Sequence, residues 1–263
     1  MKTFIKAFLT ESKRRIFSWS FAIPIIIVTA AYIASEFEEL QFMWNADTDV
    51  LYFWTIAVSI GYFTPISLLC CTALNCTSFL NDYRSDYYRS SVLRSGKLNY
   101  TLSKFLSCVI TGGITLFMGV ALFVLILSFR FPLIAEDSSY LVLYSDFADT
   151  QFPGLLLKDG NYIGFFGVYS LLAFLFGALW SAVGICVSAF ITDRYVASFS
   201  PYVIWYTLSG ILRGKFRTEK VFQGNYNTGG VGGSILFAVV YFGIIIAAMG
   251  VIFCIRAGRR CEN

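Results

Sequence analysis

Charge disappears from long stretches of this chain and gathers between them. Residues Ile16–Ser35, Val50–Asn81, Phe105–Phe129, Asn161–Thr192, Tyr195–Leu212 and Val221–Ile255 contain no Asp, Glu, Lys or Arg. Each run supplies the roughly 20 apolar residues that carry a helix across about 30 Å of hydrocarbon. The runs are continuous and lack the alternation of barrel strands, which leaves helices to satisfy their backbone polar groups in lipid. The pattern predicts an all-α polytopic membrane protein with six transmembrane helices, at about 17–35, 51–75, 103–129, 162–190, 196–212 and 234–255. No remaining segment is long enough for a soluble domain of ordinary size, so residues 1–263 are expected to form a single transmembrane domain.

The segments between the runs carry their own patterns. Residues 1–15 predict an amphipathic helix on the membrane surface: Phe4, Ile5, Phe8 and Leu9 share one face, and Lys2, Lys6 and Lys13 fall away from it. The first span holds Pro24, which marks its first turn or a kink. It lacks a small-residue cleavage site and runs directly into acidic residues 36–49, so it is expected to be retained as a span. The loop at 76–104 places Phe79, Leu80, Tyr83, Tyr87, Val92 and Leu93 at helical spacing, interrupted by Gly96. Such a face suits docking on a cytoplasmic partner, or equally a row of aromatics at the lipid headgroups.

Two further segments are larger than plain turns. Residues 36–49 offer Phe42, Met43 and Trp44 as interface anchors, and residues 131–160 include a β-like run at Tyr140–Tyr144. Small residues one turn apart (Thr111/Thr115, Gly177/Ser181, Gly184/Ser188 and Gly243/Ala247) allow close helix approach, within the bundle or between subunits.

The distribution of cations sets an orientation. With the N-terminus inside, 14 Lys and Arg residues fall on the cytoplasmic side and 6 outside, so both termini are expected in the cytoplasm. Arg213, Lys215, Arg217 and Lys220 are discordant, lying on an outer loop unless the fifth run is a re-entrant hairpin. The outer segments carry 11 acids against those 6 cations, a balance that solvated loops commonly show. All seven cysteines fall in spans or on the inner side, so no disulfide framework is expected.

Composition narrows the chemistry. The chain is 57% hydrophobic and 18% aromatic, and it contains no histidine. That removes His-dependent triads, His-ligated zinc and His-ligated haem. The nearest approach to a phosphate-binding loop, Gly210-Ile211-Leu212-Arg213-Gly214-Lys215-Phe216, has the wrong spacing and no hydroxyl after the lysine. Any use of ATP therefore falls to another polypeptide, and no catalytic, cofactor or metal site is expected in this chain.

The order of elements resembles the permease subunit of type-2 ABC exporters, in which an amphipathic helix precedes six spans and a coupling helix lies between spans two and three. The local match is Asn81-Asp82-Tyr83-Arg84, then Val92-Leu93-Arg94-Ser95-Gly96, then Tyr100-Thr101-Leu102-Ser103-Lys104, with Gly96 where the family usually has Pro. The size and outer loops are most similar to small bacterial permeases that export phenol-soluble-modulin-like amphipathic peptides or confer bacteriocin immunity. The resemblance implies a homodimer in the plasma membrane, flanked by two copies of a cytoplasmic ATPase that binds ATP and Mg. Amphipathic peptide or other hydrophobic cargo would pass between the protomers, and no nucleic-acid partner is implied. A helix at Asn81–Leu93 would dock the ATPase, with Phe79, Asp82, Tyr83, Arg84, Asp86, Tyr87, Arg89 and Leu93 as the contact residues. The competing class is a secondary transporter. Such carriers usually hold an ionisable residue at membrane depth, and none of the six runs contains one.

Overall fold

The apolar runs become helices packed around one central pair. In a computed structural model, the described residues are 2–43, 48–60, 63–135, 156, 159–212, 217–218 and 235–261. They form α1 (Lys2–Ile16), α2 (Trp19–Ser35), α3 (Phe37–Phe42), α4 (Val50–Ile60), α5 (Phe63–Arg84), α6 (Tyr87–Ser95) and α7 (Lys97–Ser128). After these come α8 (Tyr162–Ser188), α9 (Arg194–Ile211) and α10 (Ile235–Arg260), and no strand occurs among the described residues. The β-like run at Tyr140–Tyr144, Trp44, and most of the cationic loop after α9 lie outside them.

Three helices are long and apolar enough to cross a membrane: α7 with 32 residues, α8 with 27 and α10 with 26. A fourth candidate arises if α1 and α2, bent by 55°, count as one broken span. The other runs fold less simply than their composition predicts. The second is divided into α4, of 11 residues, and α5, of 22. The first and fifth correspond to α2 and α9, of 17 and 18 residues, each with a proline inside the helix (Pro24 and Pro201).

α7 and α8 approach closely, and small residues permit it. A Cβ on Gly177 would lie 2.6 Å from the Gly112 carbonyl oxygen, so the two backbones touch with nothing between them. Ser181 Oγ donates to the Cys71 carbonyl at 2.9 Å, tying α8 to α5. Thr29 Oγ1 donates to the Gly119 carbonyl at 3.1 Å, tying α2 to α7. Three of the four small-residue pairs therefore serve internal packing. The fourth, Gly243/Ala247, sits on the exposed face of α10 beside Val240, Ile244 and Val251.

Two apolar clusters share the core. One joins α2, α4, α7 and α8 through Tyr32, Trp54, Phe123, Tyr169 and Trp180. The other joins α5, α6, α7, α8 and α10 through Phe79, Tyr88, Phe105, Ala182 and Phe253. The second cluster collects the end of α5, α6, the start of α7, the end of α8 and the C-terminal half of α10. Arg260 donates to the Phe190 carbonyl at 3.2 Å and lies 5.7 Å from the centre of the Tyr83 ring. All seven cysteines are free thiols.

Candidate functional site

The segment 76–104 is almost wholly helical. α5 runs on to Arg84, α6 occupies Tyr87–Ser95, and α7 begins at Lys97, so only Ser85–Asp86 and Gly96 interrupt the chain. The single helix expected at Asn81–Leu93 is therefore two helices meeting at a corner. Asp86 makes that corner in the left-handed region (φ 53°), a conformation that Asp tolerates better than most residues. At the other corner Gly96 has φ 80°. A proline, held near φ −65°, could not occupy that position, which explains in this backbone why glycine stands there.

What holds this corner to the bundle is a buried ion cluster. Lys104 Nζ lies 2.5 Å from Asp82 Oδ2 and 3.1 Å from Glu11 Oε2. Tyr100 donates its hydroxyl to the same Asp82 oxygen at 3.0 Å. Lys104, Asp82 and Tyr100 are all buried. The cluster thus joins α1, the end of α5 and the start of α7, and its mutual pairing offsets the cost of removing these charges from water. Lys104, at the opening of the third predicted span (about 103–129), is buried inside α7. The signal was present in the sequence: Asp82 and Lys104 flank the same short segment, and Glu11 is the only acid in the first 35 residues.

The eight expected partner-contact residues divide into two sets. Phe79 is buried, 5.4 Å from the ring of Phe253, and Tyr83 stacks on Tyr88 at 5.2 Å. With Asp82 in the ion cluster, these three face inward and hold α6 in place. Arg84 donates to the Thr192 carbonyl at 2.8 Å, which ties the corner to the α8–α9 turn. Asp86 and Arg89 form an exposed pair at 3.3 Å, of the kind that contributes little to stability. The outward surface consists of Leu93, 87% exposed, and Tyr87, 43% exposed, with Arg89 and Arg94 beside them.

α1 docks on α5 and α7 through its polar residues. Ser12 Oγ donates to Ser107 Oγ at 3.5 Å, and Arg15 donates to Ser78 Oγ on α5. On its other side Ile5 and Leu9 are exposed, while Phe4 and Phe8 stack at 6.4 Å and are half-buried. The helix is therefore part of the bundle and keeps Ile5 and Leu9 exposed. Between α1, α2, α5 and α7 lies a half-open cavity of about 250 Å³, walled at one end by Arg14, Arg15, Asp82 and Lys104. Among the described residues, no group of three or more His, Cys, Asp or Glu side chains is placed to hold a metal ion.

At the opposite end of the bundle, Glu36 ends α2 with its side chain buried. Burial, opposed by the Ser35 hydroxyl and reinforced by the nearby Glu39, raises its carboxyl from 4.5 to about 7. The folded protein therefore binds a proton there that the unfolded chain has lost, and stability falls as pH rises from about 4.5 through about 7. We expect the melting temperature of purified protein to fall across that window, with a smaller fall in Glu36→Gln. Identical pH profiles for the two proteins would refute this assignment.

No family model, curated protein or solved structure matches this chain.

Proposed function

We propose that the chain is the membrane-spanning permease subunit of an ATP-driven exporter, powered by a separate cytoplasmic ATPase. In this reading the six runs all traverse the plasma membrane, with α4 and α5 sharing the second crossing and both termini in the cytoplasm. Two copies form the path for an amphipathic peptide or similar hydrophobic cargo, and each carries one ATPase on α6. The observation that carries the reading is α6 itself. It is a short helix clamped to the bundle through Asp82, Lys104, Tyr83 and Tyr88, yet it leaves Leu93 and Tyr87 outward. A rigid bracket of this kind passes force from a docked motor into α5 and α7, which a loop could not do. Exposed Arg89 and Arg94 beside the apolar pair suit an acidic rim on the partner.

The test is affinity purification of the tagged chain from its native membrane. Wild type should recover an ABC ATPase and ATP turnover, whereas the chain stripped of that partner should turn over none. Tyr87→Ala with Leu93→Ala should cost on the order of 2 kcal/mol or more of docking energy if both are anchors. Recovery of the ATPase should fall accordingly, with membrane insertion unchanged. Tyr83→Ala is less informative, because Tyr83 supports α6 from within. Undiminished recovery by the double variant would return Tyr87 and Leu93 to the role of headgroup-facing side chains.

A carrier coupled to an ion gradient is the second reading, and the buried Lys104–Asp82–Glu11 cluster favours it, since it places ionisable groups inside a helix end. Transport into sealed vesicles separates the two: the exporter needs ATP and its partner, and the carrier needs only a gradient.

A further inference from the structure

The cavity beneath α1 has a polarity that changes along its length, and the geometry points to a binding site for the headgroup of an anionic phospholipid. Its walls are three helical stretches, each charged or polar at one end and apolar or neutral at the other. The α1–α2 corner runs from Arg14 and Arg15 to Phe21 and Pro24, α5 runs from Asn81 to Cys70, and α7 from Lys104 to Thr115. On α5 and α7 those ends are 11 residues apart, or about 16 Å along a helix axis. A soluble anion has no use for the second half of such a site, and a hydrocarbon has none for the first.

Charge at the polar end favours an anion. Lys104 lies between Asp82 and Glu11, so both carboxylates of the cavity are directed at one ammonium. The two guanidinium groups, Arg14 and Arg15, then leave the lining with one net positive charge. Arg15 bonds a neutral hydroxyl, Ser78, and exposed Arg14 lies 5.4 Å from the centre of the neutral Tyr87 ring. Guanidinium groups bind phosphate oxygens through paired donors, so a phosphodiester suits them.

The surroundings favour a lipid as its source. Phe17 is 86% exposed and Trp19 is 85% exposed at the α1–α2 corner, as interface anchors would be. Ile23, Ile26 and Ile27 are exposed on the face of α2 opposite Phe21 and Pro24, so the helix is apolar outside the bundle as well. About 250 Å³ holds a headgroup and part of its glycerol, and the acyl chains would then leave the cavity past Phe21 and Pro24. A bound lipid would bridge α1 to α5 and α7 beside the Lys104 cluster, making the attachment of the N-terminal helix depend on membrane composition.

The site can be tested on purified full-length protein in neutral detergent, without any ATPase, so its outcome is independent of the proposed transport function. Lipid retention is measured by native mass spectrometry during titration with phosphatidylglycerol, phosphatidylcholine or inorganic phosphate. Wild type should retain one phosphatidylglycerol molecule in preference to phosphatidylcholine. Arg14→Gln with Arg15→Gln should lower that affinity roughly 30-fold, about 2 kcal/mol. Lys6→Gln with Lys13→Gln removes the same charge from α1 away from the cavity, and should change it less than roughly twofold, or about 0.4 kcal/mol. Should the Arg pair fail to fold, Arg14→Gln alone alters only an exposed side chain and should still weaken retention. Equal retention of the two lipids, or equal losses from the Arg and Lys pairs, would overturn the proposal. Displacement of the lipid by millimolar inorganic phosphate would overturn its lipid part and leave a free-phosphate site.

Discussion

Lys104→Met should be among the most damaging single changes in this protein, costing about 3–5 kcal/mol, the range seen when one member of a buried ion pair is removed. The substitution keeps the volume of the side chain but leaves Asp82 facing only the Tyr100 hydroxyl, and Glu11 facing none of the cluster's cations. Asp82→Asn should be milder, because Lys104 keeps Glu11 at 3.1 Å and an amide can still accept from Tyr100. Pairing Lys104→Met with Asp82→Leu and Glu11→Gln should restore much of the loss, since an apolar replacement of a buried pair is often neutral. Thermal unfolding of the purified variants measures all three. A tolerated Lys104→Met, or an Asp82→Asn that is worse than it, would show that the cluster does not hold the corner as described. A folded triple variant that no longer supports an ATPase would separate the mechanical role of the cluster from its contribution to stability.

Gly177→Val should cost about 3 kcal/mol, at the upper end for overpacking a core. The added Cβ would meet the Gly112 carbonyl oxygen at 2.6 Å, and a backbone oxygen inside a helix cannot turn aside as a side chain can. Relief requires α7 and α8 to separate, which loosens the core around Leu116 and Phe176 and the nearby Ser181–Cys71 hydrogen bond. Gly243→Val is the control, with open space where its Cβ would go. We expect a lower melting temperature for Gly177→Val and almost no change for Gly243→Val. Similar behaviour of the two would mean that the α7–α8 contact is looser than this geometry.

Gly96 shows where sequence and fold meet. Its place in a turn was visible from the break in helical spacing, but its positive φ was not, and that angle is what rejects proline. Tyr83 and Tyr87 show the reverse. They fall on one face of a continuous helix drawn from Asn81 to Leu93, but the left-handed Asp86 turns the chain between them. One then supports α6 from inside and the other looks out. Periodicity assumes an unbroken axis, and a single residue at φ 53° defeats it. Likewise the division of the second run into α4 and α5 left no mark in charge, because no charged residue lies between Val50 and Asn81.

Long charge-free runs by themselves determined that this protein is helical and built from elements apolar enough for a membrane. Each backbone group must find its partner within its own segment wherever water is absent, and composition alone reveals where that condition applies. The absence of histidine and of a phosphate-binding loop was equally legible, because it concerns which atoms are present and not where they lie. Only the tertiary structure decided that Glu11, Asp82 and Lys104 meet, for they come from three helices separated by up to 93 residues. It also decided which small residues are buried and which face outward, and which side of α6 is free. Those outcomes depend on distances between helix axes, and a one-dimensional pattern carries the period of each helix but not its rotation against its neighbours.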